Sequence, residues 1–503
     1  MRPMPLVGID VGTGGTRALV VGDDGRVLGA GTCDHAEFAS PQPGWAEQSP
    51  EDWWRATQAA LRAALTASRV DPSTIGAIGL SGQMHGAVLL DAGLNVVRPA
   101  IIWCDQRTEE ECRWLNSTFG NASLLSHTCN PALTNFTLTK LLWVRTHEPE
   151  AWRRVRHVLL PKDYVRLRLS GSLAMDVTDA SGTLMFDVAR RRWSREILDG
   201  AQIDPTLLPQ AFESADMCGS VSEEGASASG LVQGTPIVAG AGDQAAGATG
   251  IGVVRPGVVS ATIGTSGVVF AATDRPAMDP RGRLHTFCHA APHRWHLMGV
   301  TQAAGLSLRW LRDQLGARDG GYDSMIAEAA GVPAGADGVL WAPYLMGERT
   351  PHLDPDVRAA LVGLVASHHR GHIIRAVLEG VAFSLRETLT IFAELNVPVS
   401  SIRLGGGGAR SALWRQIQAD VYGRAVETVL VDEGAAFGAA VLAGIGAGVW
   451  RDIDEASDRL IRTAVAASPE PDTVGVMNER YTAFRRLYPA LRMLQGQASF
   501  VSN

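Results

Sequence analysis

The chain reads as a duplicated α/β protein whose two halves enclose a cleft, and three observations predict it. The first is a pair of glycine-threonine hairpins. One is Leu6-Val-Gly-Ile-Asp10-Val-Gly-Thr13-Gly14-Gly-Thr16-Arg17; the other, in the second half, is Val258-Val-Ser-Ala-Thr-Ile-Gly264-Thr265-Ser266-Gly267. The second is length, since 503 residues exceed what one hydrophobic core can organise. The third is a strand, glycine loop and helix running from Val399 to Tyr422, whose helix amino terminus suits a phosphate or an adenosine. Each hairpin is a β-branched strand, a tight Gly/Thr/Ser turn and a second strand. Such a turn aims N–H groups and hydroxyls into one concavity, an anion cradle. Two cradles at equivalent points of two halves would hold a phosphate chain between them.

The amino-terminal half opens as a meander, with strands predicted near 5–11, 16–22 and 26–33 and a hairpin turn at Gly22-Asp23-Asp24-Gly25. A helix follows from Pro50 to Ala67, capped at Ser49-Pro50-Glu51-Asp52, with Trp53, Trp54, Leu61 and Leu65 on its apolar side. Ile75–Leu80 reads as a strand that ends in the loop Ser81-Gly-Gln83-Met84-His85-Gly86, a place where ligands bind at a sheet rim. Residues 105–230 mix helical and short extended segments. The second half begins where the apolar strand Pro236-Ile-Val-Ala-Gly-Ala-Gly runs into Asp243-Gln244 and a small-residue helix. Val399–Leu404 reads as a strand, Gly405-Gly406-Gly407-Gly408-Ala409-Arg410-Ser411 as a loop, and 412–422 as an amphipathic helix. The small-residue run Phe437–Trp450 fits a closely packed buried helix.

Composition narrows the function classes. A hydrophobic share of 46% is ordinary for a globular protein, and no uncharged run is long enough to span a bilayer. No secretory leader is recognisable, so a soluble cytoplasmic protein is expected. A net charge of −7 argues against nucleic acid as the main partner. Lys140 and Lys162 are the only lysines, so no Gly-x4-Gly-Lys-Ser/Thr loop exists. Any nucleotide must therefore be held by backbone amides, hydroxyls, arginine and a metal ion. The six cysteines lack CxxC pairs and read as reduced thiols. The run His285-Thr-Phe287-Cys288-His289 to His296 alternates with Phe287, Trp295 and Leu297, which favours a hairpin with polar residues on one face over zinc. No Gly-x-Gly-x-x-Gly follows a strand in a βαβ unit, which argues against a dehydrogenase.

With these motifs in view, the sequence resembles the FGGY carbohydrate kinases over essentially its whole length. The stretches that carry the likeness are Asp10–Arg17, Gly82-Gln-Met-His-Gly86, Trp103-Cys-Asp-Gln-Arg107, Lys140-Leu-Leu-Trp143, Leu160-Pro-Lys-Asp-Tyr164, Gly242-Asp-Gln-Ala-Ala-Gly247 and Gly347-Glu-Arg-Thr-Pro-His352. A carboxyl-terminal pattern runs from Gly363-Leu364 to Glu379. The resemblance implies an actin-like, ribonuclease-H-like duplicated two-domain fold with an interdomain cleft, often as a homodimer. Residues 1–242 would bind sugar and 243–503 nucleotide. It also implies ATP-dependent phosphorylation of D-xylulose at its 5-hydroxyl with Mg²⁺.

Phosphoryl transfer needs positioning, charge neutralisation and an acceptor for the hydroxyl proton. By resemblance Asp243 is that acceptor; as a bare sequence feature it reads equally well as a helix N-cap. Asp10 is expected to orient Mg²⁺ and its waters. Thr13, Gly14, Thr16 and Arg17 would hold the β- and γ-phosphates from one side, and Gly264, Thr265 and Ser266 from the other. Gly407 and Ser411 would approach the adenosine, and Gly305 would line the nucleotide pocket. Met84 and His85 match the sugar-binding pair of the xylulose-phosphorylating branch, where glycerol-phosphorylating members resemble Arg-Glu. Trp103 is expected as an apolar wall and Asp105 as a hydroxyl acceptor. Gln244 stands where that branch has asparagine, and Asn135 where a small or aromatic residue is usual. Both leave another ketopentose, a pentitol or glycerol open as acceptor. A non-catalytic actin-like sugar sensor is the competing class.

Overall fold

The computed structural model describes residues 4–315, 321–430 and 433–495. Two seven-stranded mixed sheets form the frame. The first comprises β1 (Leu6–Val11), β2 (Gly15–Val21), β3 (Val27–Asp34), β4 (Ala77–Gly82), β5 (Met217–Ser220), β6 (Pro236–Val238) and β7 (Ala241–Gly242). Its order is β5-β6-β4-β1-β2-β3, with β7 also paired to β4. The second comprises β8 (Gly257–Ile263), β9 (Gly267–Thr273), β10 (His285–Cys288), β11 (Trp295–Thr301), β12 (Val399–Gly406), β13 (Val426–Val429) and β14 (Thr463–Ala467), in the order β10-β11-β9-β8-β12-β13-β14.

The two orders superimpose as topologies. In each, an antiparallel hairpin (β1-β2, β8-β9) is extended by a third antiparallel strand, β3 or β11. On the other side the first strand pairs in parallel with β4 or β12, and that strand pairs in parallel with β6 or β13. An antiparallel strand, β5 or β14, closes that side. The duplication expected from the two hairpins is therefore present over six strands of each sheet, with β7 and β10 outside the match. The parallel strands β1, β4 and β6 are almost wholly buried and mainly apolar, as helix-covered parallel strands must be, whereas β12 carries the exposed Ser400 and the half-buried Arg403.

The helices that shape the site are α1 (Pro50–Ser68), α2 (Thr137–His147), α3 (Pro161–Ser170), α4 (Asp243–Gly250), α5 (Gly305–Gln314), α6 (Arg370–Glu394), α7 (Ala412–Tyr422) and α8 (Gly434–Gly446). Sequence bounds for α1 and α7 agree to within one residue. Ser49 does precede α1 but makes no side-chain capping bond; Asp52 instead accepts from the Ala36 amide at 2.6 Å and from Arg55. The strand expected at 75–80 begins at Ala77 and runs on through Ser81 and Gly82, because both pair with β1 and β7. Among the described residues, no helix is long and apolar enough to cross a membrane.

Helix α8 carries the connection between the halves. Although it follows β13 in the second half, it lies on β1 and β4 of the first sheet and against α4. Small residues permit the approach. A Cβ on Gly8 would sit 1.9 Å from the Ala436 carbonyl, one on Gly79 2.0 Å from that of Ala439, and one on Gly438 1.8 Å from that of Ala246. The prediction of a closely packed buried helix at 437–450 thus holds for 434–446. Gly438→Ala is expected to lower the unfolding free energy by about 1–3 kcal/mol, despite the better helix propensity of alanine. Urea titration checks this, and unchanged stability would mean that the contact is slack.

Candidate active site

The carboxyl ends of β1, β4 and β7 lie side by side. Asp10 pairs in register with Ser81, and Ser81 with Ala241, two residues before Asp243. Two strand spacings, about 10 Å between backbones, separate Asp10 from the Asp243 segment. The side chains are close enough that the Asp10 charge raises the Asp243 pKa, second to burial, with the Gln244 side chain and amide opposing; the result is about 7. Asp243 keeps part of its surface open to the cleft although protein surrounds it closely. The N-cap of α4 is Gly242, and Asp243 is the first helical residue, its carboxylate meeting the Gln244 amide. The N-cap position is thus filled by Gly242 and not by Asp243.

Burial likewise raises the Asp10 pKa, offset by the Ser81 hydroxyl beside it and by Arg17. Asp10 Oδ1 is buried without a hydrogen-bond partner among the described residues. An orphaned carboxylate oxygen at a strand end is a fitting hard ligand for Mg²⁺.

The two hairpin tips differ in how they are held. Thr13 is anchored on three sides: its carbonyl accepts from Gln48 Nε2 at 2.8 Å, and its hydroxyl meets Gln83 at 3.3 Å and the Trp103 indole N–H at 2.9 Å. Gln83 in turn donates to Gln48 at 2.9 Å. Gln48 and the holding role of Gln83 were not foreseen; two glutamines spaced 35 residues apart carry no local pattern. The second tip is braced by α5, with Gly305 N donating to the Gly264 carbonyl at 2.9 Å and Ala304 and Leu306 amides to that of Thr265. Beside it, Gly406 and Gly408 press on Ile263.

The glycines separate into two kinds. A Cβ would meet nothing within 4 Å at Gly14, only Ser266 O at 3.6 Å at Gly264, and only Ile263 O at 3.7 Å at Gly407. Nothing in the protein packs closely on these three, which leaves room for a ligand. Gly305 is different, because a Cβ there would lie 2.4 Å from the Gly264 carbonyl. Its glycine is required by packing behind the tip.

Several expected roles are corrected by the side-chain positions. Thr16 is fully buried, its hydroxyl 2.8 Å from His35 Nε2, so it supports the hairpin from inside. Arg17 forms an ion pair with Glu433 at the start of α8 and does not point at the first tip. Ser411 accepts from the Trp414 amide at 3.2 Å as the N-cap of α7. Asp105 is fully buried, and its carboxylate accepts from Ala46 N at 2.6 Å and from Arg107 through its amide, Nε and Nη2. It has no face left for a sugar. The histidine-rich hairpin β10-β11 forms as expected, yet His285, His289 and His296 are buried among aromatic rings rather than on a polar face.

Of the pair expected to meet a sugar, Met84 lies against the Asp243 segment and His85 against Gly182. A Cβ on Gly242 would lie 2.8 Å from Met84 Cγ, and one on Gly182 3.0 Å from the His85 ring. His85 has φ +68° and its Nδ1 lies 2.6 Å from the Gly182 carbonyl. A carbonyl only accepts, so Nδ1 carries the proton and Nε2 is left as an acceptor. Burial, then Lys140 and Arg349, lower the His85 pKa to about 3 against the opposing Gly182 bond, so the ring stays neutral. Lys140 on α2 donates to the carbonyls of His85 at 2.8 Å and Asn135 at 2.6 Å. Burial brings its pKa to about 7, Asp105 opposing. Trp103 is 42% exposed and available as a wall.

Sequence comparison decides the family. The amino-terminal domain of the FGGY family of carbohydrate kinases matches residues 5–250, and its carboxyl-terminal domain matches 259–447. The chain belongs to this family. It is 37% identical to the xylulose kinase of Bacillus subtilis (strain 168) over 483 residues, 96% of each chain. It is 39% identical to that of Escherichia coli (strain K12), covering 96% of this chain and 99% of the relative. The crystal structure of xylulose kinase from Rhodospirillum rubrum superimposes with a TM-score of 0.90 at 32% identity, covering 97% of this chain and 99% of that one. The duplicated sheets are the two-domain, actin-like fold of these sugar kinases.

Because Asp105 is spent inside the protein, its loss should register as stability. Asp105→Ala, which leaves Arg107 with Glu47 at 2.8 Å and the faces of Trp45 and Trp143, is expected to cost about 3 kcal/mol. A thermal melt reads this directly; a raised sugar KM with unchanged melting would restore Asp105 to the substrate.

Proposed function

We propose that this FGGY kinase transfers the γ-phosphoryl group of ATP to the 5-hydroxyl of D-xylulose, forming D-xylulose 5-phosphate and ADP, with Asp243 as general base. The observation that carries the reading is the Asp243 carboxyl: set at the strand ends beside Asp10, above Met84, and brought to about 7 by burial and by Asp10. Such a group takes a hydroxyl proton efficiently near neutral pH. The xylulose kinases reported above, alike over nearly the whole chain, supply the choice of sugar.

The sugar would rest between Trp103, Met84 and His85, with His85 Nε2 accepting from one hydroxyl and Gln244 serving another. The half at 1–242 takes the sugar and that at 243–503 the nucleotide. Phosphates would lie against the open glycines Gly14, Gly264 and Gly407 and the hydroxyls of Thr13, Thr265 and Ser266. As the 5-oxygen attacks the γ-phosphorus, its proton passes to Asp243, and the bond to the β-phosphate oxygen breaks to release ADP. Asp10 would hold Mg²⁺, which neutralises phosphate charge when bound.

Asp243→Asn is expected to reduce kcat by roughly 10²–10⁴-fold. In the unsubstituted protein kcat/KM should fall as pH drops through about 7, because protonation removes the base. His85, neutral throughout that range, adds no second limb. Persistence of the acidic limb in Asp243→Asn would remove Asp243 from this role. An ADP-release assay over ketopentoses, pentitols and glycerol tests the acceptor. Best turnover is expected with D-xylulose; a preference for glycerol or a pentitol would overturn that choice, and no turnover at all would favour a sensor.

A further inference from the structure

The segment Gly347–His352 has no part in the chemistry above, yet it brings a cation to the sugar pocket. Glu348 fixes it from one side. Its Oε1 accepts from the amides of Gln302 at 3.0 Å and Arg349 at 2.8 Å, and its Oε2 from the hydroxyls of Thr301 and Ser384. Thr350 fixes it from the other, donating its amide to the Val300 carbonyl at 2.9 Å and accepting from Val300 N at 3.0 Å. The Arg349 backbone is thereby pinned to the end of β11.

That strand end belongs to the sugar side of the cleft. Met298 and Val300 of β11 and Phe287 of β10 share one apolar cluster with Met84 and Phe136. The His85 ring lies 5.1 Å from Phe136 and 6.0 Å from Phe287, and His285 stacks 5.6 Å from Phe287. The Arg349 charge acts on both His85 and His285, helping to hold each neutral.

The guanidinium itself is left without a partner. Among the described residues it makes no side-chain hydrogen bond or ion pair, and the Glu348 carboxylate next to it already serves four donors. Part of the residue remains open to solvent. Burial lowers its pKa. A fork of five N–H donors with no acceptor opposite it in the protein, and still reached by solvent, is open to an acceptor-only group. A polyol offers hydroxyls, each of which brings a proton that must itself be placed. A ketose offers a carbonyl oxygen, which accepts and never donates, next to a further hydroxyl oxygen that completes a bidentate set.

We propose that Arg349 is a specificity-determining residue: its guanidinium donates to the carbonyl end of the ketose, opposite the hydroxyl that is phosphorylated. The inference rests on the sugar-kinase reading of the preceding subsection and adds a contact from the nucleotide half to the far end of the sugar. It also explains how a closed cleft would sense the correct acceptor, since the two halves would grip opposite ends of one molecule.

The test compares D-xylulose with the two pentitols obtained by reducing its carbonyl, using the unsubstituted chain, Arg349→Met and Arg349→Lys. Arg349→Met is expected to raise the KM for D-xylulose roughly ten- to hundredfold, with the KM for ATP unchanged. The Ki of each pentitol as a competitive inhibitor should change less than about twofold, the hydroxyl being a poor match to the fork. Arg349→Lys, which keeps charge but loses the fork, should fall between and serves as the reading if Arg349→Met does not fold. Equal losses on ketose and pentitols, or no loss on either, would overturn the assignment while leaving the kinase reading intact. Absence of D-xylulose turnover by the unsubstituted chain would bring down the functional reading and this inference with it.

Discussion

Everything in this molecule hangs on a contact between backbones. Gly8 and Gly79 in adjacent strands of the first sheet, and Gly438 in the helix that covers them, bring carbonyls to where side chains would otherwise stand. Because α8 comes from the second half, this contact locks the start of one sheet to the end of the other unit. It also seats α4, whose first residue is Asp243, against the same helix. The position of the proposed base is thus set by main-chain packing, which tolerates far less adjustment than a layer of flexible side chains.

Around that frame the polar groups divide by task. The carboxylates at the cleft, Asp10 and Asp243, have raised pKa values, burial being the first cause in each. Others nearby are tied up in ion pairs. Asp105 is consumed by Arg107 and a backbone amide, and Lys162 is enclosed by Asp163, Asp176 and Asp179 at 2.5–2.9 Å. The latter cluster supports the site at one remove. Asp179 lies against Gly242, and the neighbouring Thr178 hydroxyl accepts the Gly242 amide at 2.8 Å.

Much of the frame was legible in the sequence, because the hairpins repeat a local pattern whose turn chemistry is self-contained. Both predicted hairpins, the helix at 412–422 and the glycine loop before it follow from neighbours in the chain. What the sequence hid was long-range. Nothing local to Thr16 reveals His35 behind it, nor does Arg17 announce an ion pair with Glu433, 416 residues further along the chain. Asp105 resembles a site aspartate by motif, but its partner Ala46 lies 59 residues away. Gly305 was legible as a glycine near the nucleotide, not as one demanded by the Gly264 carbonyl. Arg349 stands in the sequence as one residue of the Gly347–His352 motif, and its lack of a partner exists solely in three dimensions.

The scarcity of lysine has a consequence for handling the protein. Its two ε-amines, at Lys140 and Lys162, are both wholly enclosed, one beneath the His85 loop and the other in a cage of aspartates. Amine-directed dyes, cross-linkers and coupling resins therefore find no lysine on the folded surface. Acylation at either position would instead report a transient opening of the layer beneath the His85 loop, which makes the two lysines a built-in gauge of local breathing.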